Sequence, residues 1–396
     1  MDVVILTFSG LPSFDYALPL INKVRKETEL DKVYLLSNSL NYLNLFPNFE
    51  DSEEVLKRMK IINNDLSNNT LLKYIKFIFK FNERSHNKPY FILKLINSIE
   101  KKIIKRFNLT IKALDNLKPD IVFLDHRNPQ SVQSYEEIFK FLNKNGIKTY
   151  LLPHAPHYLN ESEHLSTGLP KELLTNVSYI EPFEYSNVAP NFTNDYFSVE
   201  NIGYPGFEDD WIKIIKEHPV YTNSLILLLR PFHTKDSKWN KNEKVVLLPE
   251  ELDQIIYSVN LLIKNNKYQK VIIKPHPKNY QADLDKFITP TINHEKIIYY
   301  HDSVINLISL SNTFVSTYST TLLTTIASSC KTYIINTQIF DRVFEEWNVL
   351  KNLYSNFTGF TTPDTVLNVE VNTKLDKIHL SQYFKASTNE FFKLKF

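Results

Sequence analysis

Glycine is scarce in this chain, with six residues in 396. None of them falls into G-x-G-x-x-G or a Walker loop, which excludes the two glycine-built phosphate cradles. Any bound phosphate must instead be held by helix N-termini, hydroxyls and cations. Cysteine is nearly absent: Cys330 alone excludes an internal disulfide framework and fits a reducing compartment. Excess charge of either sign is also missing, with 46 basic against 44 acidic residues. A general nucleic-acid binder should be clearly basic, so no nucleic-acid partner is expected. No apolar run reaches the roughly 18 residues needed to span a bilayer. The first residues, Val3-Val-Ile-Leu6, read as a strand rather than as a basic segment followed by an apolar core. The expected location is therefore cytoplasmic.

What is present is enough apolar residue, 43%, for two cores. Strand-like runs alternate with helical patterns along the whole chain. In the first half, strands are expected at Val3–Phe8, Lys32–Ser37, Ile121–Leu124 and Thr149–Leu152, with helices at Asp15–Glu27 and from about Ser131 to Asn145. In the second half, strands fit Leu225–Leu229, Lys270–Ile273, Ile297–Tyr300, Thr313–Val315 and Thr332–Ile335. Helices fit Pro249–Asn265, Ser303–Ser309 and Thr320–Ser328. Such alternation predicts the α/β class: parallel sheets covered by helices on both faces. The glycine and proline cluster Asn201-Ile-Gly-Tyr-Pro-Gly206 predicts the join. The expectation is two Rossmann-like domains facing a cleft, residues 1–205 and 206–396, with the last helix returning to the first domain.

Two stretches of the second half carry the chemistry. Val271-Ile-Ile-Lys-Pro-His-Pro277 is an apolar strand running into an elbow. Pro275 and Pro277 fix φ and hold His276 stiffly at the strand's end. An imidazole there can donate to a phosphate oxygen and help neutralise a leaving nucleotide. Lys274 adds a cation, although strand alternation can turn it away. The second stretch, Phe314-Val-Ser-Thr-Tyr-Ser-Thr-Thr321, offers Ser316, Thr317, Ser319, Thr320 and Thr321 where a strand meets a helix. One or two hydroxyls suffice for a cap; five in six positions suggest an anion cradle built without glycine. Arg230, at the end of the strand before Pro231-Phe-His233, is suited to meeting phosphate or carboxylate bidentately, or to an interdomain salt bridge. All three groups lie at C-terminal ends of expected parallel strands, where open α/β sheets bind ligands.

In the first half, three loops follow strands. Ser9 to Asp15 holds one carboxylate, Asp125-His-Arg127 gathers an acid, an imidazole and a cation, and His154-Ala-Pro-His157 precedes Glu161 and Glu163. A transfer to a hydroxyl needs a general base, and a retaining reaction can need a carboxylate nucleophile. Asp125 and Glu161 are the first candidates, with Asp15 and His154 next. His154, His157 and His164 lack the helical carboxylate–histidine spacing of a metal site, so no metal is expected. Residues 71–107 carry ten Lys and Arg against Glu83 and Glu100, with Phe77, Phe79, Phe81, Tyr90 and Phe91 interleaved. This is either a solvated basic helix face or a surface that meets anionic lipid at the inner membrane face.

The order and strand context of these motifs resemble bacterial glycosyltransferases of the GT-B fold that build capsule, lipopolysaccharide and related surface glycans. Within that group the chain looks most like the CMP-sugar users of the sialyltransferase and Kdo-transferase type. In those families a His-Pro motif and a downstream Ser-Ser/Thr motif bind the CMP moiety. His276-Pro277 matches the first, and Ser319-Thr320 or Ser316-Thr317 matches the second. The resemblance covers mainly residues 200–340. It implies a metal-independent, cofactor-free enzyme that moves a sugar, most readily a CMP-linked ulosonic acid, to a glycan or lipid-linked glycan acceptor. The acidic D/E-D/E-G motif of those families is absent from the first half; the comparable loop reads Leu152-Pro-His-Ala-Pro-His-Tyr158. Base, donor sugar and stereochemistry therefore stay open. A UDP-sugar transferase, a UDP-sugar 2-epimerase, a teichoic-type polyol-phosphate transferase and a non-enzymatic carbohydrate-binding protein remain as alternatives.

Overall fold

The computed structural model describes residues 2–6, 14–27, 32–37, 60–65, 98–99, 102–103, 108–125, 135–152, 171–181, 198–201, 203–216, 223–233, 246–276, 279, 281–300, 304–319, 321–344 and 348–373. The chain divides into two compact units that meet between Pro205 and Gly206. The expected return of the last helix falls on residues outside those described, as does almost all of the basic stretch 71–107.

The first unit is built on strands β1 (Asp2–Leu6), β2 (Lys32–Ser37), β3 (Ile61–Asp65), β4 (Ile121–Asp125), β5 (Lys148–Leu152), β6 (Val177–Glu181) and β7 (Ser198–Asn201). They pair in the order β3-β2-β1-β4-β5-β6-β7, and every pairing is parallel. Helix α1 (Phe14–Glu27) buries Ala17, Leu18, Leu20, Ile21 and Val24, a spacing that keeps one face apolar. Arg25 and Lys26 in its last turn complement the negative end of the helix. Helices α2 (Leu109–Leu117) and α3 (Tyr135–Lys144) close one core, where Leu114, Ile138, Phe139 and Leu142 meet Val122, Leu124 and Leu151. Gly146, at φ +65°, turns the chain from α3 into β5, a conformation that other residues adopt only with strain.

The second unit carries β8 (Ser224–Leu229), β9 (Lys270–Pro275), β10 (Ile297–Tyr299), β11 (Thr313–Ser316), β12 (Lys331–Ile335) and β13 (Gly359–Thr361). Its order is β10-β9-β8-β11-β12-β13, again parallel throughout. Every residue of β8 is buried, as a central strand covered on both faces requires. The covering helices are α4 (Asp209–Ile215), α5 (Pro249–Asn265), α6 (Gln281–Phe287), α7 (Val304–Ile308), α8 (Leu322–Ala327), α9 (Gln338–Phe344) and α10 (Asn348–Phe357). α5 starts with proline at its first turn, and the Glu251 carboxylate accepts the Leu248 N–H at 2.8 Å. The same carboxylate, 2% exposed, also takes the Arg342 guanidinium at 2.6 Å, tying α5 to α9.

Both sheets have the doubly wound order of a Rossmann fold, the strand sequence reversing next to the first strand. The α/β class with two such sheets is thus as expected. Most expected elements agree within two residues: Pro249–Asn265 is reproduced and α8 begins at Leu322 rather than Thr320, while the expected start of α3 at Ser131 lies outside the described residues. Elements β3, β6, β7, β13, α2, α4, α6, α9 and α10 are additions to the reading. Short strands such as Ser198-Val-Glu-Asn201, with alternating polar residues at a sheet edge, leave little apolar pattern to detect. No helix among the described residues is long and apolar enough to cross a membrane.

Candidate functional site

The reversal point of the second sheet lies between β8 and β11. Their C-terminal ends carry Arg230, Thr317 and Ser319, with Thr321 just beyond, and the end of β9 beside them carries His276. Parallel register brings these groups to one edge: Leu229 pairs with Pro275, and Leu228 pairs with Ser316. Arg230 and His276 therefore leave adjacent strands at the same level.

His276 is half-buried, and the elbow that holds it is closed by more than proline. The Asn279 N–H donates to the His276 carbonyl at 2.8 Å, a tight turn. The Asn279 carboxamide then donates to the Arg230 carbonyl at 3.1 Å, tying the elbow of β9 to the end of β8. Lys274, also half-buried, sits inside β9 opposite Leu228, two positions before His276. Pro277 lies outside the described residues.

Arg230 is half-exposed as a residue, but its Nε is fully enclosed. The guanidinium lies 5.6 Å from the centre of the Tyr318 ring, within cation–π range. Burial pulls its pKa down, and the nearby Tyr318 and Tyr354 phenols oppose that shift. An arginine starts so high that it stays charged regardless. Burial likewise raises the Tyr318 and Tyr354 pKa values, with Arg230 opposing, so both phenols are neutral donors at ordinary pH.

The hydroxyl cluster divides into parts. Ser316 is wholly buried and its Oγ donates to the Leu228 carbonyl at 3.1 Å, so this hydroxyl is spent joining β11 to β8. Thr317 is buried with Oγ1 3.5 Å from that of Thr337, the second residue after β12. Ser319 Oγ and Thr321 Oγ1 share a hydrogen bond at 2.7 Å. Thr321 occupies the N-cap position of α8 without making a side-chain cap bond, so its hydroxyl is not used as a helix cap. Tyr354, from α10, donates its hydroxyl to the Ser319 carbonyl at 2.7 Å and fixes the loop from the far side. Thr320 is outside the described residues. Sequence reasoning missed Asn279, Tyr318, Thr337 and Tyr354. Tyr318 lay inside the noticed motif and Asn279 three residues past His276; Tyr354 carries no local signal at all.

In the first sheet the reversal point lies between β1 and β4. Asp125 is the last residue of β4, paired with Leu152, and Asp15 is the second residue of α1, the helix that follows β1. Backbone placement alone thus brings two of the four candidate acid–base residues to the ligand-binding edge of a doubly wound sheet. Glu161 and His154 lie outside the described residues. Among the described residues, no group of three His, Cys, Asp or Glu could hold a metal ion; His154, His157 and His164 are not among them.

No protein-family description matches the chain, and no curated protein sequence does. Among solved structures, the chain is similar to the UDP-GlcNAc 2-epimerase of Neisseria meningitidis, at 12% identity and TM-score 0.44 over 93% of this chain and 95% of that one. It is also similar to the UDP-GlcNAc 2-epimerase of Methanocaldococcus jannaschii, at 12% identity and TM-score 0.45 over 93% and 90%. A third is UGT73P12 of Glycyrrhiza uralensis, at 9% identity and TM-score 0.44 over 87% and 79%. Likeness this distant says nothing of substrate or chemistry, which must come from the residues themselves.

Proposed function

We propose that the chain is a nucleotide-sugar-dependent glycosyltransferase whose second unit holds the nucleotide's phosphate at the C-terminal edge of its sheet. The observation that supports this reading is that strand register brings Arg230, His276, Thr317 and Ser319 to one edge of the sheet, at the reversal point between β8 and β11. A fixed cation, an imidazole on a rigid elbow and hydroxyls on a braced loop are donors suited to phosphate oxygens. They stabilise the charge that develops on a departing nucleotide, so the chain's own residues supply the leaving-group assistance. The first unit supplies the acid–base group, Asp125 ahead of Asp15, which deprotonates the acceptor hydroxyl.

The donor nucleotide is CMP on the strength of the His276-Pro277 and Ser319-Thr320 motifs, and UDP in the alternative. The two are separated by a thermal-shift panel of CMP, UDP, GDP and CDP, since a ligand of the folded state raises stability by an amount set by its affinity. The proposal expects one nucleotide to raise the melting temperature of the native protein and to lose most of that effect in His276→Ala. No shift with any nucleotide contradicts it. Release of free nucleotide with sugar joined to an acceptor marks transfer; a sugar altered at C2 without acceptor marks an epimerase.

A further inference from the structure

The ladder between β8 and β9 stops at Leu229 and Pro275, the last register pair of the two strands. The residues that follow are Arg230 and His276, and each is followed in turn by proline, Pro231 and Pro277. Proline has no N–H, so neither chain can donate the next ladder bond from that position. With those bonds missing, nothing in the ladder itself fixes the separation of Arg230 from His276.

Asn279 supplies what the prolines withhold. Its N–H donates to the His276 carbonyl at 2.8 Å and closes a four-residue turn over the elbow. Its carboxamide donates to the Arg230 carbonyl at 3.1 Å, across 49 positions of sequence. A carbonyl only accepts, so this partner fixes which way the amide points. One residue thus fastens both backbones from which the cation and the imidazole project. Asparagine is common in turns because its side chain bonds its own nearby backbone. Here the side chain reaches the neighbouring strand instead, which a turn does not require. Arg230 is then held at both ends: its carbonyl by Asn279, and its guanidinium by enclosure of Nε and by the Tyr318 ring, 5.6 Å away at its centre.

We infer that Asn279 is a positioning residue: it sets the spacing of Arg230 and His276, and so the fit of that pair to a nucleotide's phosphate, without touching the ligand. This rests on the nucleotide-sugar reading of the same edge. A hydrogen bond that preorganises two donors lowers the ordering cost of binding, and its loss is felt by a ligand that uses both. A ligand gripped by only one of them is indifferent to their spacing.

The test is a double-variant cycle read by calorimetry. UDP and CMP are titrated separately into native protein, Asn279→Ala, His276→Ala and the two changes combined, and the denaturation midpoint of each protein is measured alongside. The nucleotide that native protein binds should bind Asn279→Ala up to about tenfold more weakly, the reach of one net hydrogen bond. In the His276→Ala background the same change should cost less than about twofold, because the imidazole whose place it fixes is gone. A residue that only stabilises the unit acts equally in both backgrounds. Equal losses in the two backgrounds therefore overturn the positioning role, as does native affinity in Asn279→Ala while His276→Ala loses it; both results leave the phosphate site standing. Failure of Asn279→Ala to fold makes the residue structural and overturns the inference as well. No binding of UDP or CMP by native protein, or binding that His276→Ala leaves unchanged, overturns the parent reading and this one together.

Discussion

The two sheets share one strand order but end in different chemistry at their reversal points. The second presents Arg230, His276 and hydroxyls, which suit an anion; the first presents Asp125 at the end of β4 and Asp15 at the start of α1, which suit a proton. The same fold thus provides the same place twice, and the residues at strand ends decide its use. The second edge is also braced by hydrogen bonds within the protein: Asn279 on the Arg230 carbonyl, Tyr354 on the Ser319 carbonyl, and Ser316 on the Leu228 carbonyl. On the proposed reading, binding there would use preorganised donors, whose ordering cost is met on folding.

The sharpest way to break this division is at the acid. Asp125→Asn keeps shape and removes basicity, so transfer should fall about a hundredfold or more, the range of general-base catalysis. Nucleotide affinity measured by calorimetry should hold. A turnover equal to native shifts the role to Asp15, Glu161 or His154.

Next in size is the scaffold of the second unit. Arg342→Ala leaves the Glu251 carboxylate, 2% exposed, without its cation. Breaking a buried pair costs about 3 kcal/mol, to be read from the denaturation midpoint. A loss near zero would mean that the Leu248 N–H suffices for Glu251.

Alkaline pH should loosen the same unit. Burial pushes Tyr268 from 10.0 to about 12 and Cys330 from 9.0 to about 12, and raises Tyr318 and Tyr354 as well. The folded state then holds protons that the unfolded state releases, so stability falls as pH rises above about 9 to 10 and continues falling through about 12. Stability that rises over that window contradicts the burial of these groups.

The smallest effect belongs to Tyr354→Phe. Losing the hydrogen bond to the Ser319 carbonyl should cost about 1 kcal/mol of stability. If the brace matters for binding, nucleotide affinity falls as well; unchanged affinity would make it a packing residue only.

The sequence announced some of this and hid the rest, for physical reasons. Buried central strands such as Ser224–Leu229 and Lys270–Pro275 are largely apolar runs, and their C-terminal ends single out Arg230 and His276 as candidates from local pattern alone. Edge strands such as β7 and β13, short and partly polar, left no such trace. Five clustered hydroxyls pointed to an anion site, yet Ser316 belongs to the sheet, because a strand's last residues alternate faces and a local count cannot see it. Tyr354 reaches Ser319 across 35 positions, a contact that no local pattern encodes. Phe360 belongs to β13 and Asn336 directly follows β12, strands that pair only in the folded sheet.

The central claim, that the second edge grips the phosphate of a nucleotide, is tested most directly by titrating the nucleotide that stabilises native protein into His276→Ala and into the double variant Ser319→Ala/Thr320→Ala. The account predicts that both fold and that both lose affinity, about tenfold or more for each. Affinity equal to native in both proteins would contradict it.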